Sequence, residues 1–417
     1  MKRLLDDESV QKALEFLKED DDRTLLETLE MCQIPAPSCQ EEKKAAYVLA
    51  KMEEAGLCDV HIDEVGNVLG TRKGTGAGPR IVLAGHTDTV FPMDTDLTLK
   101  KEGNRYSCPG IGDDTRAVAE LLTIARAMER ADLRGEGDII FCANVCEEGL
   151  GNLRGSKHLF GTDGSKESPA YDGFISIDDK RTAGIIYHAV GSERYQVNFH
   201  GAGGHSFTGF GIPNPIHAMG RAITKISDFQ VPSNPKTTFS VGVVNGGTSV
   251  NVISAEASML VDMRSVDSGA LGELSERFHQ AVKVAVEEEN RRWGIDDQSD
   301  NRITVTMEEK GRRPAGTQSQ KCGIVQTANL ANQALGMETI YIGAASTDAN
   351  IPISLGIPAV TVGFGGKGGG EHTIHEWYEQ KESWKGPQRD LLLLLALSGY
   401  GDVKDYQLPV LKKMSLF

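Results

Sequence analysis

The segment Ile81-Val-Leu-Ala-Gly-His-Thr-Asp88 decides how this chain folds. Residues 81–84 form a short, uninterrupted apolar run of the kind that makes a strand buried on both faces. The chain then passes directly into a glycine, a histidine and an aspartate. The same pattern recurs twice. Residues 139–145 run into Cys146-Glu-Glu-Gly149, and residues 174–177 run into Asp178-Asp179. In open parallel sheets ligands bind beyond the carboxyl ends of strands. Three strands therefore deliver His86, Asp88, Glu147, Glu148 and an aspartate of the Asp178-Asp179 pair to one rim.

Working outward, residues 115–130 carry Val118, Leu121, Leu122, Ala125 and Met128 at helical spacing. Residues 41–55 do the same with Ala45, Val48, Leu49 and Met52, and Gly56 stops them. Residues 1–32 read as acidic amphipathic helices that end near Pro35 and Pro37. Strands alternating with helices predict an α/β fold, a mostly parallel sheet covered by helices on both faces.

From about Gly191 the character changes. Tyr195, Val197 and Phe199 alternate as in a half-exposed strand, and a helix is expected at 214–229. Strands at 237–244 and 257–263, a long helix at 270–293 and a strand at 302–307 follow. The order β-α-β-β-α-β is that of a ferredoxin-like α+β unit. Alternation then resumes, with a helix at 321–335, strands at 339–342 and 359–363, and a last helix at 387–398. The expected organisation is a catalytic metal-binding domain in two parts, 1–190 and 314–417, with a lid and dimerisation domain inserted at 191–313.

Composition bounds the function. Lys plus Arg is 44 against 59 for Asp plus Glu, a net charge of −15. That balance argues against a general basic surface for nucleic acid or anionic membrane. The seven cysteines include no C-x-x-C pair, so neither a disulfide framework nor a zinc ribbon is expected. The charged start, residues 1–22, does not read as a signal peptide, and none is expected there. The longest strongly apolar run, 391–397, is far shorter than the ~20 residues of a membrane span. A soluble cytoplasmic protein is expected.

Two further carboxylates, Asp113 and Asp114, stand just before the helix at 115–130, and His372 follows the strand at 359–363 through a glycine-rich turn. Clustered carboxylates without cations repel and raise one another's pKa values. Two divalent ions remove that difficulty, and a mixed histidine and carboxylate set suits zinc, cobalt or manganese better than calcium. Gly363-Phe-Gly-Gly-Lys-Gly368 fits the dinucleotide pattern G-x-G-x-x-G, but Glu371-His-Thr-Ile-His-Glu376 follows where a helix should open. Cys142 and Cys146 flank the glutamate pair and read as strand packing.

Taken in order, Gly85-His-Thr-Asp88, Gly110-Ile-Gly-Asp-Asp114, Glu147-Glu148-Gly149, Gly203-Gly-His205, Asn251, Asp262-Met-Arg264, His372 and Glu376 make the chain resemble a known family. It is that of the co-catalytic zinc peptidases and deacylases, which includes peptidase T, glutamate carboxypeptidase, acetylornithine deacetylase and succinyl-diaminopimelate desuccinylase. The resemblance spans nearly the whole chain. It implies that Asp113 bridges two metals, with His86 and Asp178 completing one site and Glu148 and His372 the other. Asp88 would hydrogen-bond the far nitrogen of His86. Glu147 would be general base on the water between the metals, then acid toward the leaving amine. A cis peptide is implied between Asp113 and Asp114.

Within the inserted segment the resemblance makes His205 and Asn251 the donors to the tetrahedral oxyanion. In dimeric relatives that histidine reaches into the neighbouring subunit, so a homodimer is implied. Arg264 and Arg313 match positions that hold a substrate carboxylate, although Arg312-Arg313 leaves the register open. Asp178 and Asp179 are adjacent, and Asp178, directly after Ile177, is taken as the ligand. The spacing His-x-x-x-Glu selects His372 over His375. The expected activity is hydrolysis of an amide bond in a small peptide, the alternative an N-acyl amino acid deacylase on the same scaffold.

Overall fold

The computed structural model describes residues 1–164, 170–401 and 403–410. The chain divides into two compact units, one formed by Met1–Ala189 with Thr317–Phe417, the other by Val190–Gly316.

The first unit is built on a mixed sheet. In chain order its strands include β1 (Cys58–Ile62), β2 (Val68–Arg72), β3 (Ile81–His86), β4 (Ile139–Asn144), β5 (Gly173–Ile177), β6 (Gly184–Ala189), β7 (Ile340–Ala345) and β8 (Ala359–Val362). They lie in the order β1-β2-β4-β3-β5-β8-β6, with β7 paired to β6. The centre is parallel: β3 pairs with β4 and β5, and β5 with β8. β1, β2 and β6 join antiparallel.

Side chains on β3 explain its unbroken apolar run. Ile81 and Leu83 enter one core with Val118, Phe141 and Ile175. Val82 and Ala84 enter another with Ile140, Phe174 and Leu153. A strand buried on both faces has no position left for a polar residue until it emerges. The helix Lys385–Ser398 follows the same logic, since all seven residues of 391–397 are fully buried. It packs against the helices Glu8–Glu19, Ala117–Arg130 and Gly323–Ala334.

A small antiparallel sheet orders the loops above the strand ends. The hairpin Lys367–Gly369 with Trp377–Glu379 pairs through its second strand with Arg105–Ser107, Trp377 opposite Ser107. It anchors the loop holding His372 and Glu376 beside the chain that leads to Asp113. The glycines of 363–368 thus enter a hairpin and open no helix.

The second unit is a four-stranded antiparallel sheet in the order Thr237–Gly246, Glu256–Ser265, Gly191–His200, Thr304–Arg313. The helices Pro215–Ser227 and Ser268–Arg292 cover one face. Tyr195, Val197 and Phe199 meet Ala218, Ala222, Phe278 and Val282 there, as strand alternation requires. Among the described residues no helix is long and apolar enough to cross a membrane.

Candidate metal centre

Strand ends and clamped turns deliver every carboxylate and imidazole of the cluster. β3 ends at His86, whose backbone N–H donates to Asp114 Oδ2 at 2.9 Å. Asp88 is fully buried. Its Oδ1 accepts the N–H of Glu147 and its Oδ2 that of Glu148, both at 2.9 Å. Ser38 donates its hydroxyl to the same Oδ2 at 2.6 Å. Asp88 thereby fixes the backbone from which both glutamates start. The His86 Nδ1 lies 3.0 Å from the Asp88 carbonyl oxygen and 3.5 Å from the Asp88 Oδ1, so both ends of that residue face the ring.

Asp113 sits in the irregular turn Ile111–Arg116, and the Asp113–Asp114 peptide is cis. Buried Glu376 holds this turn. Its Oε2 accepts from Gly110 N–H and its Oε1 from Gly112 and Asp113 N–H, each at 2.8 Å. Gly110 has φ +78°, and a Cβ there would come within 2.6 Å of Thr89 Cγ2, so the turn requires glycine.

Asp113 consequently faces an imidazole with each oxygen. Oδ1 is 3.1 Å from His86 Nε2, and Oδ2 is 3.0 Å from His372 Nε2. His372 Nε2 is also 2.8 Å from Glu148 Oε1. Potential ligand atoms of His86, Asp113 and Asp178 lie within 4.8 Å of one another, and so do those of Asp113, Glu148 and His372. A third such set joins His86, Glu147 and Glu148.

The charges are strongly coupled. Burial pushes Asp178 well above the ordinary carboxylate range, and the neighbouring charge of Asp114 adds to it. Burial raises Asp114 likewise. Burial works against the Asp113 anion, yet His372 and His86 hold its carboxyl below its usual value. Hydrogen bonds to Asp113 and Glu148 push His372 up to about 10. Desolvation opposes charge on His86, but Asp113 and Asp88 hold it well above normal. Buried carboxylates that raise one another, held against two imidazoles that stabilise the Asp113 anion, form a donor set that fits divalent cations of the zinc, cobalt and manganese type. Asp113 belongs to two of these ligand groups, one with each imidazole.

The adjacent alternatives separate cleanly. Asp178 enters the cluster, whereas Asp179 is bound by Arg181, with Oδ1 2.8 Å from Nη2. His372 enters the cluster, while His375 is exposed and its N–H donates to Thr373 Oγ1. His205 and Asn251 lie in the second unit and are brought together there. The two-residue strand Gly204–His205 pairs with Val252–Ile253, and Ser206 N–H donates to the Asn251 carbonyl at 3.0 Å. The N–H groups of Phe207 and Thr208 donate to His205 Nδ1, and the ring is exposed. Arg264 donates from Nε to Asp262 Oδ2 at 2.8 Å. Arg313 is buried opposite Ser192, while Arg312 pairs with Glu193 and Glu309.

Sequence reasoning missed the loop at 38–41. Besides Ser38 on Asp88, Glu41 Oε1 accepts the N–H of Cys39 at 2.9 Å and of Cys146 at 3.0 Å. It also cited Glu376 only as part of a motif, with no role for its triple clamp on the Asp113 turn. A carboxylate four residues after His372 was the available signal; for Ser38 and Glu41 there was none.

Together with the family match, this sheet and its rim of clustered carboxylates and imidazoles are those of a metal-dependent hydrolase. The chain belongs to peptidase family M20/M25/M40, whose family profile matches residues 82–389. Succinyl-diaminopimelate desuccinylase of Corynebacterium glutamicum is 24% identical over 345 residues, 81% of this chain and 87% of that protein. A tripeptidase of Staphylococcus aureus has the same fold, with a TM-score of 0.73 at 22% identity over 91% of this chain and 98% of that one. So does the YXEP protein of Bacillus subtilis, a dinuclear metal binding peptidase of the M20 family, with a TM-score of 0.64 at 17% identity over 91% and 98%.

Proposed function

We propose that this hydrolase cleaves the amide bond of a small peptide, using two zinc ions held by His86, Asp113 and Asp178 on one side and Asp113, Glu148 and His372 on the other. The observation that carries this reading is Asp113, whose two oxygens each face a different imidazole at 3.1 and 3.0 Å. Bound there, divalent ions supply Lewis-acid polarisation of the scissile carbonyl and acidify water. The chain does the rest. Glu147, buried and set by the Asp88 clamp on its N–H, takes a proton from the attacking water and returns it to the leaving amine. Asp88 orients His86 and both glutamates together. We assign His205 and Asn251 to hydrogen bonding of the developing oxyanion, and Arg264 and Arg313 to a substrate carboxylate, from their match to the family pattern.

A deacylase reading is favoured by one observation, the desuccinylase that matches 81% of this chain. Di- and tripeptides assayed against acetyl- and succinyl-amino acids, after zinc or manganese reconstitution, separate the two. Glu147→Gln should retain two metal equivalents and lose at least about 100-fold in turnover. Near-normal turnover would remove Glu147 as the base. We also propose a cytoplasmic homodimer formed through the second unit. Its edge strand Thr237–Gly246 exposes Val243 and Val244, which supports self-association.

A further inference from the structure

One sulfur pair stands at the rim of the metal centre and the mechanism does not use it. Cys39 is exposed and Cys146 is buried, and their Sγ atoms lie 2.8 Å apart although 107 residues separate them in the chain. A disulfide bond is about 2.05 Å long, so joining them closes less than ~1 Å. Two observations show that the approach is built in. Both residues hold left-handed backbone, φ 68° for Cys39 and 56° for Cys146. Both donate their N–H to the same oxygen, Glu41 Oε1. Cys32 and Cys108 also lie together, but both are buried, so reagent access distinguishes the two pairs.

Each partner touches the catalytic turn. Cys146 immediately precedes Glu147. Ser38 immediately precedes Cys39 and donates to Asp88, the carboxylate that holds the N–H groups of Glu147 and Glu148.

We propose that Cys39 and Cys146 form a reversible oxidation site, a thiol pair that a hydroperoxide converts to a disulfide. The bond ties the loop before the helix Glu42–Glu54 to the turn carrying Glu147 and Glu148, and it lowers turnover. The effect on turnover rests on the role given to Glu147 above; the bond itself does not. The exposed Cys39 sulfur attacks the peroxide O–O bond, becoming a sulfenic acid and releasing water or an alcohol. Cys146 sulfur then displaces the sulfenic hydroxyl, which leaves as water with the Cys146 proton. Two S–H bonds are lost and one S–S bond forms, and the two electrons reduce the peroxide. A dithiol reverses the reaction by exchange.

The test uses the full-length, zinc-loaded protein, treated with a small excess of hydrogen peroxide and digested without reductant. Mass spectrometry should find a peptide linked through Cys39 and Cys146, lighter than its two parts by two hydrogens. Hydrogen exchange at the amides of 145–149 should slow. Turnover should fall about tenfold or more, since small misplacements at a reacting centre are costly, and dithiothreitol should restore it. Cys39→Ser should keep its starting activity and resist peroxide. Over-oxidation of Cys39 without a link, or a link through other cysteines, would overturn the site, and unchanged exchange at 145–149 beside a Cys39–Cys146 link would overturn its hold on the glutamate turn. A Cys39–Cys146 link with unaltered turnover would overturn its control of the reaction. Should no amide substrate be turned over by any preparation, the assigned activity fails, while the linked peptide and exchange data still decide the thiol pair.

Discussion

At the scale of single residues, Asp178 and Asp179 show how one peptide unit divides two identical side chains between different tasks. The Asp178 N–H donates to Val362 at the end of β8, and its carboxylate is potential ligand to the same ion as His86 and Asp113. The next side chain falls to Arg181. Asp178→Asn should therefore bind one metal equivalent fewer than wild type, by elemental analysis of dialysed protein, and lose nearly all turnover. Asp179→Asn should keep the full metal content and close to normal stability, because burial, which raises the Asp179 carboxyl, offsets what Arg181 supplies. Equal metal loss in both variants would refute the division. Most of this site was legible before the fold was seen, because histidines and carboxylates placed just beyond apolar runs announce themselves. Ser38 and Glu41 did not. Each is an ordinary polar residue in a loop, and only the folded chain brings Ser38 to Asp88, fifty positions on, and Glu41 to the N–H of Cys146.

At the scale of elements, burial on both faces made the central strands legible, but burial alone did not decide it. β2 and β6 are mostly buried and no strand is expected there, because glycine and polar residues interrupt their apolar runs, whereas β7 is expected although largely exposed. β3, β4, β5 and β8 are buried on both faces and read as apolar runs. β1 is mostly exposed and the strands Lys100–Glu102 and Arg105–Ser107 are short and polar, so no periodicity marks them. The helix Ala117–Arg130 carries a buried acid that its apolar spacing does not explain. Glu120 Oε1 accepts from Arg116 Nε at 2.9 Å and from Gly365 N–H at 2.6 Å. Burial pushes its carboxyl up from 4.5 to about 7; Arg116 opposes the rise and Asp390 adds to it. Glu120 thus holds its proton more tightly in the fold than in the unfolded chain. Its contribution to stability is fully present below about pH 4.5 and is lost as the pH climbs through about 7. Glu120→Gln imitates the protonated form and keeps the accepting oxygen. Between pH 5 and 8, wild type should lose more stability than the variant in urea titrations, by an amount on the order of 3 kcal/mol. Parallel pH profiles would show that Glu120 titrates normally.

At the scale of the whole molecule, the two units differ in what a metal can do for them. Part of the net charge of −15 is concentrated in Asp113, Glu148 and Asp178, all in the first unit. The second unit has its own apolar core of Tyr195, Val197, Phe199, Met259, Phe278 and Val282, and none of the clustered ligand atoms. Its outer crossings lie side by side, because Ser192 and Arg313 are partners on adjacent antiparallel strands. A segment whose ends meet and whose core is self-contained meets the conditions for an autonomous domain. A fragment of residues 190–316 should therefore fold alone, with a cooperative thermal transition that zinc does not move. The full chain should behave otherwise. At a free zinc concentration about 100 times the dissociation constant, binding adds roughly 3 kcal/mol to the first unit. Its melting temperature should rise by roughly 5–10 °C and fall again on chelation. Calorimetry of both proteins, with and without chelator, checks this. A fragment that fails to fold, or one whose transition follows zinc as the full chain does, would show that the second unit has no stability of its own or that it shares in the metal centre.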